Sequence, residues 1–236
     1  MTALIFAPSN GLQTWKGRLA DPDAHWVRGK SAFETAVFWE NGAREPRGLH
    51  RQIASLLDQD EALNDCRLIA SFPEHRTKLP GGSRASQTDV WAILRASSGL
   101  VSLAIEGKAG ESFGETVSDW LKGASDGKKE RLSFLAKQLG LAEPVDEMLR
   151  YQLLHRTAAA LLEAERIGAP IAAMIVASFA TDSQSKADFE RFVTAVGGSF
   201  VPGKLARARD DGGKKLLLGW LDLERSTDAD IAVVAV

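Results

Sequence analysis

Ten residues with a single hydroxyl among them, Ile171-Ala-Ala-Met-Ile-Val-Ala-Ser-Phe-Ala180, place the tightest limit on how this chain can fold. The run is well short of the ~18 apolar residues that a membrane-spanning helix needs. It follows Gly168 and Pro170, which close off whatever precedes it. A continuous apolar run of this length, without alternation, suits a strand covered on both faces. That requires helices above and below a sheet. The neighbouring patterns supply them, with helices expected at about 112–122, 128–139, 146–167 and 184–196 and a further strand at 215–223. The class is therefore α/β, a central mixed sheet flanked by helices.

Length and composition narrow the rest. At 236 residues the chain is large enough to bury a core without disulfides. No linker or repeat divides it, so a single domain is expected over 1–236. Residues 1–30 form an N-terminal elaboration punctuated by Pro8, Gly11, Gly17, Pro22 and Gly29; 31–180 form the core; and 181–236 add a helix and strands that extend the sheet. Lys and Arg number 29 against 31 Asp and Glu, which argues against a polybasic binder acting through bulk charge. The one cysteine, Cys66, can form neither an internal disulfide nor a cysteine-based metal site. The opening lacks a basic segment before its short apolar run, so a cytoplasmic protein with no membrane partner is expected.

Ahead of the apolar run, Ser31-Ala-Phe-Glu34 has the spacing of a capping box and should open a helix ending near Asn41-Gly42. A second helix is expected over 47–63. Cys66–Phe72 reads as a strand closed by Pro73, and His75–Arg84 as a polar loop. Two strands, 87–95 and 100–108, flank Ala96-Ser-Ser-Gly99, a hairpin signal. The last apolar run, Ile231–Val236, is expected as an edge strand through which two copies could pair as a homodimer.

The hairpin fixes a register. With the turn at Ser97-Ser98, Ala96 faces Gly99, Arg95 faces Leu100 and Asp89 faces Glu106. Directly opposed Cβ atoms lie ~4.5–5.5 Å apart, and two carboxylates held so close call for a cation between them. Oxygen ligands favour a hard divalent ion, Mg2+ or Mn2+. Alternation puts Glu106 and Lys108 on the face that carries the small Ser102 and Ala104. Two acids holding a metal, with a lysine beside them, can bind a phosphate oxygen and activate a water for in-line attack.

Asp89, sixteen intervening residues and then Glu106-Gly107-Lys108 resembles the metal site of the PD-(D/E)XK nuclease superfamily. The order helix, three-stranded meander, helix, strand resembles its restriction-endonuclease-like core. The resemblance covers the middle two-thirds of the chain; Thr88 stands where the superfamily's name has proline. It implies a metal held by Asp89, Glu106 and the Gly107 carbonyl, completed by an acid on the first core helix, for which Glu34 is the candidate. It also implies a catalytic Lys108 and a role for Gln152 on the following helix. The expected function is divalent-metal-dependent hydrolysis of phosphodiester bonds in nucleic acid. The alternative is an inactive module on the same core that binds a protein or nucleic-acid partner. A third reading is a metal-dependent hydrolase of a small phosphorylated substrate. Arg156 shares a helical face with Gln152, Tyr151 and His155 should pack, and His25, His50 and His75 should lie at the surface.

Overall fold

A computed structural model of the chain describes residues 11–180, 183–210 and 214–234. Six strands form one mixed, open sheet in the order β1-β2-β3-β4-β6-β5. They are β1 (Arg67–Thr77), β2 (Ser86–Ala96), β3 (Gly99–Lys108), β4 (Ile171–Ser178), β5 (Ala206–Arg209) and β6 (Lys215–Asp222). The first three are an antiparallel meander. β3 then pairs in parallel with β4 and β4 with β6, and β5 returns antiparallel at the far edge. Every residue of β4 is buried, as the uninterrupted apolar run requires of a strand covered on both faces.

Helices cover both faces. On one side lie α1 (Leu12–Lys16), α2 (Pro22–His25), α3 (Ser31–Ala43) and α4 (Arg51–Leu57). α3 and α4 pack on the side chains of Val90, Leu94, Val101, Leu103, Ile105 and Ile175, and α1 and α2 pack against α3. On the other side lie α5 (Val117–Leu121), α6 (Asp126–Leu139), α7 (Tyr151–Ile167) and α8 (Ser183–Ala195), over Ala104, Ala172, Met174, Val176 and Trp220. α7 lies over the middle of the sheet and ends at Gly168, whose left-handed φ of 68° lets Ala169 N–H reach back to Ala164 O at 2.8 Å.

The structure revises several expectations. β1 does not stop at Pro73 but runs to Thr77. It is the edge strand, so the missing proline N–H breaks no ladder within the sheet. Consequently His75 is no surface residue: its ring packs tilted against Trp91, centroids 4.5 Å apart, and its Nε2 lies 2.8 Å from Glu163 Oε1. Ser31 does not cap α3, although Glu34 reaches back past it to Gly29 N–H at 2.8 Å. The C-terminal apolar run is helical over its described part. α9 (Asp228–Val234) packs on α3, so that run offers no edge strand for dimerisation; residues 235–236 lie outside the described residues. Among the described residues no helix is long and apolar enough to cross a membrane.

Candidate functional site

The β2–β3 ladder pairs Ala96 with Gly99 and Arg95 with Leu100, and continues to Val90 with Ile105. The next step brings Asp89 and Glu106 together on adjacent strands. The β1–β2 ladder pairs Pro73 with Val90 and His75 with Thr88, so the residue bracketed opposite Asp89 is Glu74. Three acids therefore stand in one line across the meander: Glu74, Asp89 and Glu106. Glu74 has φ +55°. A left-handed step there breaks the strand's alternation, which is how Phe72 and His75, three residues apart, both pack on Trp91.

Glu106 is the most tightly held of the three. It is buried, and both carboxylate oxygens are engaged. Oε2 accepts from Arg156 Nε at 2.6 Å. Oε1 accepts from Gln152 Nε2 at 2.6 Å and from Lys108 Nζ at 3.3 Å. Lys108 in turn donates to Gln152 Oε1 at 3.1 Å and lies over the Phe113 ring. Gln152 and Arg156, one turn apart on α7, thus clamp the acid and the lysine of β3 together. Arg156 Nη1 also donates to Ser86 Oγ at 3.3 Å, and that hydroxyl lies 2.8 Å from His155 Nδ1.

Asp89 is differently placed. It is only partly buried, and among the described residues it takes one hydrogen bond, from Gly107 N–H to Oδ2 at 2.8 Å. Gly107 has to be glycine because α3 crosses close by. A side chain there would collide with Thr35 Oγ1 and come within 3.3 Å of Asp89 Oδ2. Thr35 Oγ1 is buried with no hydrogen-bond partner, against Gly107 and beside Asp89.

The charges interact. Burial, with the adjacent Glu106 and Glu74, pushes the Asp89 carboxyl well above the usual carboxylate range. Glu74 is raised as well, by burial and by Glu106, although the Gln87 amide bonded to it opposes the rise. Burial works in the same direction on Glu106, but Arg156 and Lys108 outweigh it and hold that carboxyl low. Arg156 is raised despite burial, because Glu106 and Asp89 face it. His155 goes well below its ordinary value, chiefly through burial and then through Arg156.

Of the residues expected from sequence, the structure brings together Asp89, Glu106, Gly107, Lys108 and Gln152. Glu34 is not among them. Its two oxygens accept from Gly29 N–H at 2.8 Å and Ser226 N–H at 2.6 Å, where it lines a separate cavity of roughly 490 Å3 between α3 and the chain after β6. Glu74 and the clamp by Arg156 are additions. The long loop between β1 and β2 leaves their register unset in the sequence, so nothing there pointed to Glu74. The shared face of Gln152 and Arg156 was the signal for the second.

A family model described as "Domain of unknown function (DUF6946)" matches residues 8–225. The chain belongs to that family. No curated protein and no solved structure matches it. The matched span takes in the whole acid row and the α7 clamp, so both lie inside the DUF6946 domain.

The donor set suits a hard cation, since the row offers carboxylate and carbonyl oxygen without thiolate. Among the described residues no three of His, Cys, Asp or Glu are gathered into a ready coordination set. The chain would therefore supply two carboxylates and the Gly107 carbonyl, leaving other positions to water and substrate oxygens, as Mg2+ commonly requires. The Asp89 carboxyl, with its one hydrogen bond among the described residues, and the unpartnered Thr35 hydroxyl both lie against Gly107.

Proposed function

We propose that the chain hydrolyses phosphodiester bonds in nucleic acid, with Mg2+ or Mn2+ held by Asp89, Glu106 and the Gly107 carbonyl. The observation that carries this reading is the acid row itself: three carboxylates in line across the meander, beside a lysine that α7 holds in place. The order α3, β1–β2–β3, α7, β4 also agrees with a restriction-endonuclease-like core.

A divalent ion bound there would polarise a phosphate oxygen and acidify a water. The chain's own residues do the rest. Lys108, fixed by Gln152 Oε1 and Glu106 Oε1, can orient the attacking water or balance charge that develops on the phosphate. Gln152 donates to Glu106 and accepts from Lys108, so one amide sets the orientation of both. The wall of α7 and Phe113 excludes water behind the lysine.

The test begins with calorimetric titration of Mn2+ into the wild type and Asp89→Asn at concentrations that reveal millimolar affinity. Binding by the wild type that is lost in the variant is expected. Cleavage of DNA and RNA should then depend on Mn2+ and fall by about 100-fold or more in Lys108→Ala. Equal titrations for the two proteins would overturn the reading in favour of an interaction module whose Glu106 knot is purely structural.

A further inference from the structure

Arg156 is the part of the site that the nuclease reading leaves without a task. A guanidinium sunk into the protein is kept only where its charge is matched. Here the match is Glu106 Oε2, at 2.6 Å. Its other hydrogen-bond neighbours are Ser86 Oγ at 3.3 Å and His155 Nδ1 at 3.5 Å, while Asp89 and Glu74 act on it only through space. Glu106 alone bonds the guanidinium, and both it and Asp89, which also faces Arg156, are assigned to the metal. Two positive centres cannot share that oxygen cheaply, because charges a few ångströms apart repel strongly where little water penetrates. Glu106 already has no oxygen left over, since Gln152 and Lys108 take Oε1.

We propose that Arg156 is the internal stand-in for the divalent cation at Glu106, and that it transfers to the substrate phosphate when the site is loaded. This rests on the cation reading of the row. The guanidinium suits the second partner: its planar fork of donors matches a phosphate in two-point contact. It is anchored on the first turns of α7, beside Gln152, so it need not travel far from the lysine that faces the same phosphate. The exchange makes cation and phosphate mutually supportive, each easing the entry of the other. Arg156 is then a positioning residue for the empty site and a phosphate contact for the loaded one.

The distinguishing measurement is cation affinity, which loss of a merely structural ion pair would lower or leave alone. Mn2+ is titrated calorimetrically into the wild type, Arg156→Gln and Arg156→Lys, with urea midpoints to confirm that each is folded. Removing the competing charge should tighten Mn2+ binding by about tenfold in Arg156→Gln. Arg156→Lys keeps the charge but cannot span Oε2 and Ser86 together, so a gain of about threefold is expected there. Should Arg156→Gln fail to fold, the lysine variant decides alone. Affinity equal to or weaker than the wild type in the folded variants overturns the exchange while leaving the cation site standing. If neither the wild type nor the variants bind Mn2+, the cation reading of the row fails instead, and the exchange with it.

Discussion

Two buried glutamates are clasped between α7 and the meander, and they are opposites in what surrounds them. Glu163, on α7, accepts from Thr77 Oγ1 and lies against His75 through one oxygen, with Arg166 3.1 Å from the other. It is one acid among groups that can all match it. Glu106, on β3, is as deeply buried and as well bonded, yet it stands at the end of a line whose other members, Asp89 and Glu74, are both pushed up. Arg156 and Lys108 both gather on Glu106, while Asp89 has no cation bonded to it among the described residues and Arg76 acts on Glu74 only through space. The comparison teaches that a buried ion pair is no sign of a site, since such pairs are weak evidence even for stability. A row of acids whose cations gather at one end, leaving the other two carboxyls raised, is the informative feature.

Removing each glutamate should separate the two knots most clearly. Glu106→Leu strands Arg156 and Lys108 with no carboxylate between them, and should cost about 3–5 kcal/mol in urea unfolding. Glu163→Leu leaves His75 packed against Trp91 and Arg166 able to turn to water, and should cost about 1–3 kcal/mol. If the order were reversed, the contrast drawn here would be wrong.

Acid should separate them next. The His155 imidazole, beside the Glu106 knot, is depressed in the folded chain, so unfolding takes up a proton once the pH drops below its ordinary value near 6.5. Stability should fall by about 2 kcal/mol between pH 7 and pH 5, and His155→Gln should flatten that slope. Glu163 is held low, mainly by its hydrogen bond and charge contact with His75 against the opposing effect of burial. Its contribution persists above the ordinary carboxylate range and is lost only as the pH falls through that range and below. Thermal midpoints against pH for both variants would show whether the two losses occur in these separate windows.

The smallest effect runs the other way. Asp89 keeps its proton longer folded than unfolded, so the folded state is favoured in acid and loses that advantage as pH rises past the usual carboxylate range. Asp89→Asn should therefore gain about 1–2 kcal/mol at pH 8, measured by urea unfolding, as it abolishes Mn2+ binding. Destabilisation by the same change would mean that the row is already balanced.

How much of this was readable beforehand depended on how local each signal was. The β2–β3 register followed from a four-residue gap, because so short a turn admits few alignments. β4 followed from its unbroken apolar run. Glu74 was out of reach, since the connection from Thr77 to Ser86 is long enough to allow several alignments. The C-terminal helix was missed despite a cue. Thr227-Asp-Ala-Asp230 is a capping box, with Asp230 Oδ2 accepting Thr227 N–H at 2.8 Å, and it outweighed the apolar residues that follow. The Ser31–Glu34 spacing misled in the opposite sense, because Glu34 was drawn away by Gly29 and by Ser226, 192 residues distant in sequence. Long-range partners of a short motif leave no trace in the motif.

β3 is the strand where the two halves of the sheet meet, antiparallel to β2 on one side and parallel to β4 on the other. Its consequence is one of timing. The acid row belongs to the hairpin half, whose contacts close over short stretches of chain, whereas Arg156 is 50 residues beyond Glu106 and arrives only when α7 docks. A nascent chain that has emerged only as far as the meander carries the acids with no guanidinium to offset them. The helix that brings Arg156 to Glu106 also makes the meander tolerable to bury, so pairing of these charges and closure of the fold are one event.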